Sequence, residues 1–245
     1  MKRGVTLVEI AIVLVIIGLL LGGVLKGQEL INNAKVRSIA DRQNSLKVAW
    51  FSFIDRFQAL PGDYVRAERN VPGAADGDGN GEISYQESAI VFQHLTGAGY
   101  LRCPQCTEKG SVGANTVPTA SNSLQNQYGG VMSIFHDAVA YAAVGGNGRP
   151  RLYIHTGSLI PSNIVAEVDR KLDDGEANTG DMVFNQYDPN TQPDPAMIGT
   201  VLVAECMATD SSAEGGTLSL STSVSYRWAT ATPPVEQNCG ASISI

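Results

Sequence analysis

The sequence predicts an α+β fold: a long N-terminal helix, membrane-spanning in its first half and amphipathic in its second, packed on a mostly antiparallel β-sheet head. Three observations predict it. Residues 5–25 form a 21-residue apolar run with a single ionisable group, Glu9. Residues 26–60 continue without proline and space apolar side chains mostly three, four or seven apart, which is one helix face. Beyond Pro61 the chain becomes rich in glycine and polar residues, and short β-branched or alternating runs are bounded by Gly, Asn or Pro, as strands joined by turns are. The average composition conceals this division. A 43% hydrophobic share excludes a disordered chain, and a net charge of −7 argues against the clustered Lys and Arg that a nucleic-acid surface needs.

The first element is the apolar run from Val5 to Leu25. At about 1.5 Å per residue, a helix of that length crosses the roughly 30 Å hydrocarbon core of a bilayer. Lys2 and Arg3 precede it and no A-x-A cleavage signal follows, so the N-terminus is expected in the cytoplasm and the head across the membrane. A cleaved secretory signal fits poorly, because the run is too long and continues into a second helical pattern. Glu9 is what a plain anchor leaves unexplained. A carboxylate within hydrocarbon costs at least about 2.5 to 3.5 kcal/mol, so a partner or a function is expected for it.

Gly4-Val5-Thr6-Leu7-Val8-Glu9-Ile10, behind Lys2-Arg3 and ahead of the apolar run, resembles the N-terminal signature of type IV pilins and type II secretion pseudopilins. The resemblance covers about the first thirty residues. It implies that residues 1–4 are a leader removed by a prepilin peptidase after Gly4, and that Val5 becomes a methylated N-terminus. It also implies that Glu9 pairs with the terminal amine of a neighbouring subunit during assembly. The partners so implied are a homo- or hetero-polymer of pilin subunits and an inner-membrane assembly platform. The implied location is the bacterial inner membrane as a single pass, then a periplasmic or cell-surface filament. Two departures stand out: Val5 replaces the commoner Phe or Met, and Gly18, Gly22, Gly23 and Gly27 stand where many pilins carry a proline.

In residues 26–60 the expected buried face comprises Ile31, Ile39, Leu46, Ala49, Trp50, Phe53, Ile54 and Phe57. Pro61 and Gly62 end the helix, because proline lacks an amide donor and disfavours α backbone before it. Leu60-Pro61-Gly62-Asp63 also resembles a subset of pilin-like proteins. The head is then residues 61–245.

Residues 76–87 fit the twelve-residue EF-hand calcium loop. Asp76, Asp78 and Asn80 offer side-chain oxygens, Gly81 permits the sharp turn, and Glu82 offers its carbonyl. Ser84 holds a water, Glu87 closes the shell with two oxygens, and Ile83 tucks inward. The competing reading is a solvated acidic turn. A helix is expected after Glu87, ending near Gly97, but residues 70–73 read as non-helical. The loop is therefore isolated, and the expected role of calcium is structural, at affinities of about 10⁻⁴ to 10⁻³ M that suit an extracellular site.

Four cysteines allow three disulfide connectivities. Cys103-Pro104-Gln105-Cys106 reads as a small structural disulfide in preference to a redox pair, which would open a helix after a strand, or to half a zinc site. Cys206 with Cys239 then ties the last strand, Ala241 to Ile245, to an inner one. Other strands are expected over residues 131–135, 138–144, 151–155, 200–206 and 217–228, with one helix over residues 161–172 capped by a left-handed Gly175. Asp169, Asp173, Asp174, Glu176 and Asp181 read as a capped turn with solvated charges, and a second cation is the weaker alternative. His94, His136 and His155 lack metal-ligand or triad spacing. No phosphate loop, nucleophile elbow or HExxH occurs, so no enzyme is expected.

The function expected is that of a structural filament subunit with a calcium-stabilised head. The size of the head, roughly 185 residues, leaves room for a minor subunit with a binding surface. The alternative is an inner-membrane-anchored, calcium-dependent binding or adhesion module that does not polymerise.

Overall fold

A computed structural model describes residues 7–106, 117–137, 150–177, 179–184, 206–209, 226–228 and 239–245. Helix α1 runs unbroken over Leu7–Phe57, 51 residues, as the two adjoining helical patterns require. Its apolar stretch is long enough to cross a membrane and none of that stretch is buried. Burial begins at Val36, and from there Ile39, Leu46, Ala49, Trp50 and Phe53 face the head. Ile31 does not join that face. It is 56% exposed because it lies before the point where the head reaches the helix. Ile54 and Phe57 are only partly buried, at the margin of the core. The helix closes with Gln58 in a left-handed conformation, φ 51°, its N–H donating to the Ile54 carbonyl.

Two short helices follow, α2 (Ala67–Asn70) and α3 (Ser88–Gly97). The single turn of α2 corrects the expectation that Asn70 is non-helical, while Val71 is already extended. Strand β1 (Ser133–Asp137) starts two residues later than expected, and β2 (Arg151–His155) occupies the expected span. Helix α4 (Ser162–Leu172) has Pro161 at its N-cap, and Gly175 is left-handed with φ 85°. Strands β3 (Met182–Phe184), β4 (Met207–Thr209), β5 (Tyr226–Trp228) and β6 (Ala241–Ser244) complete the described elements. The strand expected over residues 138–144 lies outside the described residues, as does most of those over 200–206 and 217–228.

A four-stranded sheet has the order β1-β2-β6-β3, and β4 pairs with β5 separately. All pairs are antiparallel, with Phe135 opposite Tyr153 and Ile154 opposite Ile243. Helix α1 serves two adjoining cores. Leu46, Trp50 and Phe53 pack with α3 and β1, and Val36 and Ile39 pack with α4 and β6. Burying a side chain such as Leu46 or Phe53 contributes about 1.5 to 3 kcal/mol, so these contacts anchor the helix to the head.

All four cysteines are paired. Cys103 bonds Cys106, and Cys206 bonds Cys239, with Cα separations of 5.2 and 5.7 Å. Cys239 exchanges two backbone hydrogen bonds with Ile160, so the second bridge fastens Cys206 to the chain entering β6.

Candidate metal centre

The turn after α1 and the acidic loop form one unit. Tyr64 accepts the Gly77 N–H at 3.0 Å, and the Asp63 carboxylate accepts the Asn80 and Gly81 N–H groups at 2.9 and 3.0 Å. Gly77 has no room for a side chain, because a Cβ there would collide with the Asp63 backbone and the Gly62 carbonyl. Gly81 makes the sharp turn with φ 86°.

His94 fixes the same turn from inside. Its Nδ1 accepts the Gly62 N–H at 2.9 Å, which requires the neutral ring with its proton on Nε2. That Nε2 donates to the Ala75 carbonyl at 2.7 Å, and the ring stacks on Phe53 of α1 at 5.6 Å. Burial pushes its pKa down to about 4. On the opposite side, Ile83 is buried and its N–H donates to His136 Nδ1 at 2.7 Å. The His136 backbone N–H donates back to the Ile83 carbonyl at 2.8 Å, which docks the loop on β1, an edge strand of the sheet.

The predicted ligands separate into two groups. Asp78 and Glu87 come together, but their close companion is Asp63. The three offer carboxylate oxygens within 4.8 Å of one another, and Asp76 is not among them. Asp76 instead accepts the Glu68 N–H of α2 at 2.8 Å. Asn80 uses its amide within the loop, donating to Asp78 and accepting from the Glu82 N–H. Ser84 and Glu87 form a capping box ahead of α3: Glu87 Oε2 accepts the Ser84 N–H and Oγ–H at 2.8 and 2.9 Å, and Ser84 Oγ accepts the Glu87 N–H at 3.2 Å.

The capping box accounts for Oε2 and leaves Oε1. Glu87 is 1% exposed, and its Oε1 is buried with no hydrogen-bond partner. Burial pushes the Glu87 carboxyl up against the pull of its Ser84 hydrogen bonds, and the charge of Asp78 adds to the rise. Burial also raises Asp63, which the Gly81 N–H draws down and the neighbouring Asp78 pushes up. Asp63 and Glu87 are both buried, and two negative charges at such a separation repel by about 3 kcal/mol at an effective dielectric constant near 20. A proton or a cation relieves that repulsion. The converging donors are the oxygens of three carboxylates, the donor type that a calcium site uses.

Asp63, His94 and His136 escaped the sequence analysis as parts of this unit. Asp63 alone carried a sequence signal, as the last residue of Leu-Pro-Gly-Asp. Of the other predicted residues, Gly4 and Val5 lie outside the described residues, and Glu9 sits exposed in the first turn of α1.

A second acidic group, Asp169, Asp173 and Asp174, also brings carboxylate oxygens within 4.8 Å. Here the turn itself uses Asp173 and Asp174, while Asp169 is fully buried on α4. Asp173 Oδ2 accepts the Asp181 and Met182 N–H groups, Asp174 accepts from the Glu176 N–H and Thr179 Oγ–H, and Asp181 accepts from Ser244 Oγ–H.

Comparisons with family models, with curated proteins and with solved structures find no match to this chain.

Proposed function

We propose that this chain is a structural filament subunit of the pilin or pseudopilin kind, held in the bacterial inner membrane before assembly. The observation that carries the reading is the division of α1: one continuous helix whose first half is apolar and wholly unburied, and whose second half lays one face on the head. Such a helix needs a second apolar environment, and a bilayer followed by the core of a fibre supplies it in turn. The motif at Gly4, Val5 and Glu9 supports the same reading, with cleavage after Gly4, methylation of Val5, and Glu9 attracting the amine of the next subunit. Opposite charges in a low-dielectric core attract strongly, and leaving one unpaired is penalised. In this reading the loop at residues 76–87 binds calcium, which stabilises the head.

Mass spectrometry of the protein from its native membrane should find methylated Val5 as the first residue; an intact Met1 there would refute processing. Glu9→Ala should leave membrane insertion unchanged and stop incorporation into filaments. Normal filaments from that variant would exclude the proposed pairing. A processed chain that never enters a fibre would favour the anchored, calcium-dependent binding module.

A further inference from the structure

We infer that the calcium ligands of this chain are the carboxylates of Asp63, Asp78 and Glu87, with Asp63 reaching in from outside the twelve-residue loop and Asp76 serving α2 instead. The inference deepens the calcium part of the proposed function and rests on it. Two independent observations carry it. The three side chains converge within 4.8 Å from two separate segments of chain. Within that convergence, Glu87 Oε1 is a buried oxygen with no hydrogen-bond partner, although Oε2 of the same carboxylate is fully engaged by Ser84. Buried polar atoms in folded proteins are almost always satisfied, and an oxygen among carboxylates is satisfied by a cation.

Asp63 is held in place for the task. The Asn80 and Gly81 N–H groups orient its two oxygens, its backbone is pressed against Gly77, and the Gly62 N–H beside it is fixed by His94. Asp76, at the first position of the loop pattern, has one oxygen on the Glu68 N–H. It is a positioning residue that closes α2 over the loop. Calcium bound this way joins the turn after α1 to the head, so the ion stabilises the joint between stalk and head as well as the loop.

The test is calcium titration of the full chain in detergent micelles, followed by calorimetry, with a thermal melt in chelator to verify that each variant folds. Wild-type protein should bind one calcium ion. Glu87→Gln keeps an oxygen for the capping box but loses the ligand charge. It and Asp63→Asn should each weaken binding on the order of a hundredfold, whereas Asp76→Asn should change it by less than about threefold. If Asp63→Asn fails to fold, the contrast between Glu87→Gln and Asp76→Asn still decides, since a regular EF-hand loop requires both residues. An Asp76→Asn loss as large as that of Glu87→Gln, or unchanged binding by Asp63→Asn, overturns the inference and leaves calcium on the loop alone. Wild-type protein that binds no calcium refutes the inference together with the calcium reading. Filament assembly is then judged separately, by whether wild-type and Glu9→Ala chains enter fibres.

Discussion

The two halves of the head each hold a group of acidic side chains and a buried histidine, and they arrange them differently. In the half built on α3 and the loop, the carboxylates come from two chain segments, and His94 braces the turn that brings them together. In the half built on α4 and the sheet, Asp173 and Asp174 cap a single turn. His155 stands apart from them, stacked on Phe135 at 4.2 Å with Nδ1 at 2.7 Å from Ser242 Oγ. Converging acids alone therefore do not mark a cation site. Glu87 and Asp169 are each buried within their cluster, and the distinguishing feature is that Asp63 joins Asp78 and Glu87 from a separate segment.

Acid should strain both halves, with the largest effect of those considered. Burial holds His94 and His155 near pKa 4, against an ordinary value of 6.5. Both are neutral in the fold, so the stability they contribute is complete above pH 6.5 and is lost as pH falls toward 4. Each accounts for about 3 kcal/mol over that window. Asp63 and Glu87 act with the opposite sign in calcium-free protein, because their raised pKa values favour the folded state at low pH and oppose it at neutral pH. Thermal melts in chelator at pH 7, 5.5 and 4.5 should show a falling Tm, and a profile unchanged by removing either histidine would show that the histidines are not held neutral. His94→Gln and His155→Gln should each reduce the acid sensitivity, but only His94→Gln should weaken calcium binding.

Much of this division was legible in the sequence. The apolar run, the proline-free amphipathic run and the spacing of Asp78, Gly81 and Glu87 are local patterns, and α1 and the loop follow them. Asp63 lies thirteen residues ahead of Asp76, and only the folded turn shows that it displaces Asp76 beside Asp78 and Glu87. Ile31 misled because periodicity marks a helix face but cannot say where the head begins to cover it. Gln43, 1% exposed within that covered face, was missed because a polar residue carries no core signal. Glu87 at the twelfth loop position seemed to point to calcium alone, yet the capping box with Ser84 also uses it. Only the second oxygen separates the two roles.

Gly77→Ala tests whether the loop half depends on close contact between its two segments. The added Cβ meets backbone atoms of Gly62 and Asp63, which cannot rotate away as the end of a side chain can. The expected cost is about 2 to 3 kcal/mol, read as a lower midpoint in urea, together with weaker calcium binding as Asp63 is pushed from Asp78. Loss of stability with unchanged calcium affinity would detach Asp63 from the site.

Asp173→Ala makes the complementary change in the other half and should have the smallest effect. It removes the acceptor for the Asp181 and Met182 N–H groups at 2.5 and 2.8 Å, just where the chain enters β3. Met182 is buried, so its N–H cannot readily turn to water, and the expected loss is about 1 to 2 kcal/mol. Calcium affinity and stoichiometry should be unchanged, because Asp173 and Asp174 serve the turn. A second calcium ion bound by wild-type protein and lost in Asp173→Ala would make the two halves alike, and would show that backbone N–H groups and a cation can share the same carboxylates.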